Sequence, residues 1–85
     1  MAKFEKLILK ILQGSSDLNI SFHDLQYVLE HLDFKERTKG SHHIYTKAGI
    51  AEILNLQPKS DGKAKPYQVK QVREVIIKYK LIDIS

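Results

Sequence analysis

Apolar residues recur at Phe4, Leu7, Ile8, Ile11 and Leu12, with polar residues between them. This i, i+3, i+4, i+7, i+8 stripe predicts an amphipathic helix over residues 3–13, and Gly14 is placed to stop it. Gly14-Ser15-Ser16-Asp17 reads as a short loop. Ser21-Phe22-His23-Asp24 then has the form of a capping box with Asp in the Glu place. The helix it opens carries Phe22, Leu25, Val28, Leu29 and Leu32 on one face and ends near Asp33. Beyond it the period changes. Phe34 to Thr38 and His42 to Thr46 are short segments divided by Lys39-Gly40-Ser41, and Lys47-Ala48-Gly49 precedes a third run, Ile50 to Leu56. Ile and Tyr favour strands, and Gly-containing breaks of this length suit hairpins, so the three runs read as an antiparallel meander. By composition alone the third run also suits a helix. Pro58 to Lys65 is a polar loop, and Pro66 stands where a first helical residue would, its missing N–H costing nothing there. Val69, Val72, Ile76 and Tyr79 line one face of the helix that follows, widened by Val75 and Ile77.

The predicted order is α-α-β-β-β-α, an α+β chain forming a single domain over residues 1–85. At this size three short antiparallel strands bury one face only, so helices are expected over one side while the other stays open. Without the first helix the order is that of double-stranded-RNA-binding domains, although element order alone establishes neither fold nor activity.

Composition narrows the function. The chain has 85 residues, 42% hydrophobic and 28% charged, ordinary values for a folded domain. It has no cysteine. That excludes a disulfide framework, a thiol nucleophile and a thiolate metal site, and fits a reducing compartment. The apolar run Leu7-Ile8-Leu9 falls far short of a membrane span or a secretory core, so the chain is read as soluble and cytoplasmic, with no membrane role. Net charge is +4. Residues 1–33 hold three bases against five acids, whereas residues 34–80 hold eleven bases against four acids. A basic remainder of this kind points to a polyanion such as nucleic acid, and equally to a lysine-rich solvated surface.

The candidate chemistry centres on Gly40-Ser41-His42-His43-Ile44-Tyr45. Successive strand side chains face opposite sides, so His42 and His43 are poorly placed to share a metal ion, and no ligand spacing supports a metal site elsewhere. Histidine suits metal-free RNA cleavage, because an imidazole can exchange a proton near neutral pH and the RNA 2′-hydroxyl is itself the nucleophile. Such a reaction also needs cations on the phosphates, and Lys39, Lys63, Lys65 and Arg73 are suited to that task. Against this stands the common surface His pair. His23 and His31 read as helix-surface residues. Tyr45 and Tyr67 suit either base stacking or packing. No GxGxxG or GxxxxGK[ST] loop is present, so no nucleotide cofactor is expected.

Arg37-Thr38-Lys39-Gly40-Ser41-His42-His43-Ile44-Tyr45 resembles the R-x-x-G-S-H-H-x-Y/F signature of HicA-type toxins, the mRNA-cleaving partners of HicB antitoxins. Phe22 to Phe34 is similar to that family's first helix leading into its first strand, and Val69 to Ile76 to its closing helix, so the likeness spans residues 21–81. The resemblance implies a double-stranded-RNA-binding-like fold, metal-free ribonuclease action on mRNA, and His42 as the essential histidine. Gly40 and Ser41 would hold the turn that presents His42, and a HicB-like antitoxin would cover the site. The chain departs from the family at three places. Leu56-Gln57-Pro58-Lys59 stands where many members carry a Pro-His pair, which leaves the general acid unassigned. Residues 3–13 add a helix that either covers an edge or mediates self-association. The Pro58-to-Lys65 loop is long and lysine-rich, and either extends an RNA track or is simply solvated. Two rival readings remain: an RNA-binding module without chemistry, and an interaction protein that docks through its first helix and open sheet.

Overall fold

The structure, a computed structural model, describes residues 3–82. Three helices and a three-stranded sheet follow in the order α1 (Lys3–Gln13), a 3₁₀ turn (Asp17–Asn19), α2 (Phe22–His31), β1 (Lys35–Lys39), β2 (His42–Thr46), β3 (Leu54–Leu56) and α3 (Pro66–Lys78). The sheet is an antiparallel meander ordered β1-β2-β3. This is the α+β arrangement expected from the apolar periodicities, with the double-stranded-RNA-binding-like α-β-β-β-α order preceded by one further helix.

Local chemistry sets each boundary. Ser21 caps α2 by accepting the Asp24 N–H on its Oγ at 3.0 Å. At the other end of α2, Asp33 takes φ 68°, and the bonds Phe34 N–H to Leu29 O and Asp33 N–H to Glu30 O close a Schellman turn. Lys80 ends α3 in the same way, at φ 50°, with Leu81 N–H bonded to Ile76 O. Phe34, expected to begin the first strand, is held by that Schellman bond and buried, so β1 starts at Lys35. The third strand is also shorter than the apolar run. Gly49 bends the chain at φ 86°, Ala51 N–H donates to the Tyr79 hydroxyl, and Glu52 accepts bonds from Lys78 and Tyr79. These contacts with the end of α3 take the segment away from β2 until Leu54.

The core lies between the helices and one face of the sheet. Leu25, Val28 and Leu29 of α2, Val69 and Val72 of α3, and Tyr45, Leu54 and Leu56 of the sheet are all fully buried. At roughly 1.5–3 kcal/mol for each large side chain fully removed from water, this apolar contact is the main stabilising contribution. Ile8 and Ile11 bring α1 into the same cluster. Arg73 locks that helix in place: its guanidinium donates to both oxygens of Asp17 at 3.0–3.2 Å and to Ile11 O at 3.0 Å. At the opposite end, α1 rests on α2 through Phe4 stacked on His31 and the Lys3 ammonium over the Tyr27 ring. The first helix is therefore an integral layer of the fold.

The polar loop before α3 is tied down as well. Phe22 N–H donates to Gly62 O and Ala64 N–H to Ile20 O, bracketing a bridge between Ser21 and Lys63. Asp61 accepts the Lys63 N–H, which holds its carboxyl below the usual carboxylate range.

Candidate active site

Two residues, Gly40 and Ser41, join β1 to β2, with Lys39 and His42 paired across the turn. Gly40 has φ 61° and Ser41 does not share the left-handed region, the pattern of a type II′ hairpin whose twist suits the flanking strands. A Cβ at Gly40 would meet nothing within 4 Å, so glycine is needed there for its backbone conformation rather than for space. The turn projects His42 as the first residue of β2.

Strand alternation then separates the two histidines. Lys35, Arg37 and Lys39 of β1, His42, Ile44 and Thr46 of β2, and Asn55 of β3 share the open face by register. His42 is exposed there, and its Nδ1 lies 2.9 Å from Asn55 Oδ1. Ser41 Oγ, one residue earlier, accepts a bond from Gln57 Nε2 at 2.9 Å. Every residue of β1 is exposed, so its three cations form a row, on alternate positions, that ends beside His42.

His43 faces the helices instead. Its ring packs against Phe22 at 5.0 Å, and its Nδ1 lies 2.5 Å from Glu36 Oε2. The same carboxylate oxygen accepts bonds from the Tyr45 hydroxyl and Gln26 Nε2. These bonds, that from His43 foremost, hold the Glu36 carboxyl below its ordinary value, against the opposing effect of burial. Burial, together with donation to Glu36, raises the Tyr45 phenol and keeps it neutral. Tyr45 is thus a packed core residue with a satisfied hydroxyl, whereas Tyr67 is exposed in the first turn of α3.

The remaining cations expected to meet phosphate are spread out. Lys39 lies directly across from His42. Lys63 sits on the segment bridged to Ser21, with its Nζ near Asn19, and Lys65 is the N-cap residue of α3. Arg73 is engaged inside the fold. Its side chain is only 16% exposed and its guanidinium already serves Asp17 and Ile11, so it acts as a structural tie between α3 and α1. The open face has a different arginine, Arg37. Its alternation with Lys35 and Lys39 is visible in the sequence, but its place across from Ile44, on the face His42 shares, follows from the strand register. Among the described residues, no three His, Asp or Glu side chains converge as metal ligands would, and no helix is long and apolar enough to cross a membrane.

Asn55, Gln57 and Gln68 were not among the expected site residues. Gln68 is the one buried polar side chain recorded among the described residues. Its Oε1 accepts the Gln57 N–H and its Nε2 donates to Asn55 O, both at 3.4 Å. A helix-borne amide thereby holds the backbone at Asn55 and Gln57, whose side chains reach His42 and the turn. No local signal in the sequence marks this connection, because the three residues meet only when α3 packs on β3.

Residues 22–79, more than half of the chain, match the family model described as HicA toxin of bacterial toxin-antitoxin. The matched region begins at the first residue of α2, so α1 lies before it. Searches of curated proteins and of solved structures give no match.

Proposed function

The chain belongs to the HicA toxin family of bacterial toxin–antitoxin systems, and on that premise we propose that it is a metal-independent endoribonuclease that cuts mRNA, with His42 as its general base. The observation that carries this reading is the position of His42: exposed on an open sheet face, beside a row of three cations, with one ring nitrogen already bonded. Among the described residues nothing bonds its Nε2. That nitrogen takes the proton of the RNA 2′-hydroxyl, and the 2′-oxygen attacks the adjacent phosphorus. The bond to the 5′-oxygen breaks, water protonates the departing oxygen, and the products are a 2′,3′-cyclic phosphate and a 5′-hydroxyl. Lys39 stabilises the charge on the phosphate next to His42, and Arg37 and Lys35 align the strand beyond it. Gly40 and Ser41 let the backbone approach closely, while Lys63 and Lys65 add cations outside the hairpin.

The natural inhibitor of such a site is a HicB-like antitoxin with an acidic surface, covering His42 and neutralising the cation row. The compartment of action is then the cytoplasm, where mRNA is reached. The test pairs the wild type with His42→Ala on an unstructured RNA in EDTA, with circular dichroism of both. Cleavage by the wild type alone, giving cyclic phosphate ends, is the expected result. A variant that cuts at the wild-type rate overturns the assignment of His42. Salt-sensitive RNA binding without cleavage by either protein would instead mark a binding module.

A further inference from the structure

We infer that Asn55 is a positioning residue that fixes His42 as the Nδ1–H tautomer, leaving Nε2 as the free base, and that Gln68 holds Asn55 in the place where it does so. The inference rests on the proposed role of His42 and deepens it.

A neutral imidazole has one N–H, and the hydrogen bond made at one nitrogen decides what the other can do. Free in water, imidazole side chains prefer to carry the proton on Nε2, which would leave the exposed nitrogen a donor and useless as a base. In this structure Nδ1 faces the amide oxygen of Asn55 at 2.9 Å, an acceptor that requires Nδ1 to be the donor. The bond therefore selects the tautomer that general-base chemistry needs. It also limits rotation of a ring that is otherwise exposed at a strand end.

The support behind Asn55 is built from the helix side. Gln68, buried on α3, bonds the backbone carbonyl of Asn55 and the backbone N–H of Gln57. Gln57 in turn grips Ser41 within the turn, while Asn55 grips His42 just after it. One amide thus sets Asn55 of β3 and Gln57 just after the strand, the two residues whose side chains fix the ring and the turn. The charged groups sharing the open face with His42 are the cations Lys39, Arg37 and Lys35. Glu36 lies on the other face with His43. No carboxylate is recorded against His42 among the described residues, so the neutral amide of Asn55 is the orienting acceptor.

The experiment compares wild type, Asn55→Leu and Asn55→Asp as full chains. Imidazole ¹⁵N shifts are recorded at about pH 8, where histidine is ordinarily neutral, and His42→Ala identifies the resonances. RNA cleavage is measured alongside. The expected wild type is Nδ1–H at His42, lost in Asn55→Leu and kept in Asn55→Asp, whose carboxylate still accepts. With it, kcat falls about 10- to 100-fold in Asn55→Leu at little change in KM, as misplacing a reacting group by about an ångström does, and Asn55→Asp restores much of it. An Nε2–H wild type, a tautomer unchanged by Asn55→Leu, or unchanged kcat in that variant would overturn the inference. If no protein in the series cleaves RNA, the ribonuclease reading fails, while the ¹⁵N shifts still decide whether Asn55 sets the ring.

Discussion

His42 and His43 are joined by one peptide bond, yet they have different partners. His42 meets a neutral amide on the open face, and His43 meets a carboxylate that also serves Tyr45 and Gln26. The Glu36 cluster consequently titrates with the fold. Its carboxyl is held below the ordinary value of 4.5 by the His43 bond, so the charged form is favoured in the folded state. Stability from this source is complete above about pH 4.5 and is lost as pH falls through the lower folded value, because the unfolded chain takes up the proton first. Glu36→Gln is expected to lower stability near neutral pH, and the gap to wild type should close in acid. Urea titrations of both proteins from pH 7 to about pH 3 check this. A gap that stays constant with pH would show that Glu36 acts by packing alone.

Among the elements, α1 depends most on a single joint. Gly14 leaves the helix at φ 74°, and a Cβ there would stand 3.3 Å from Arg73 Nη1. Asp33 and Lys80 show that ordinary residues occupy the left-handed region at the ends of α2 and α3. Gly14 differs because a Cβ there would press on the Arg73 guanidinium, which would have to give by a few tenths of an ångström. Gly14→Ala combines a backbone cost of about 1–2 kcal/mol with displacement of an arginine bonded to Asp17 and Ile11. The expected loss is about 1–3 kcal/mol of unfolding free energy, read by urea denaturation. A loss below about 0.5 kcal/mol, within the range of neutral surface changes, would mean that Arg73 yields freely and that the joint does not hold α1. The apolar stripe of α1 is buried against α2 and α3 within the same chain.

Across the whole molecule, charge and structure separate together. The apolar layers lie on one side of the sheet, while the other side presents Lys35, Arg37 and Lys39 leading to His42. If this row tracks an RNA strand, its contribution is electrostatic and carries a salt signature. Single-strand binding loses about 0.7 in the slope of log K against log salt per phosphate contact removed. Replacing Lys35, Arg37 and Lys39 by Gln should therefore flatten that slope by about two, and Lys78→Gln, on the far end of α3, should leave it unchanged. Filter binding or fluorescence anisotropy across a salt series measures both. An unaltered slope in the triple variant would place the RNA elsewhere.

Much of the architecture was legible one-dimensionally because its causes are local. The stripe at Phe4, Leu7, Ile8 and Ile11, the Ser21 cap, Pro66 at a helix start and Gly40 in a two-residue turn each act within a few residues of chain. The Gly-Ser-His-His string likewise carried the family resemblance, and with it the expected fold. Arg73 shows where such reading stops. A basic residue on a helix has the same appearance in sequence whether it meets phosphate or, as here, an aspartate fifty-six residues away. The third strand is shorter than its apolar run for a related reason, since the contacts of Glu52 with Lys78 and Tyr79 arise only when the chain returns. Sequence by itself therefore determined the helices, the hairpin and the histidine at its head. Packing determined which ring nitrogen is bonded, which cations stand beside it and which arginine is withheld, because those depend on strand register and on α3 docking against β3.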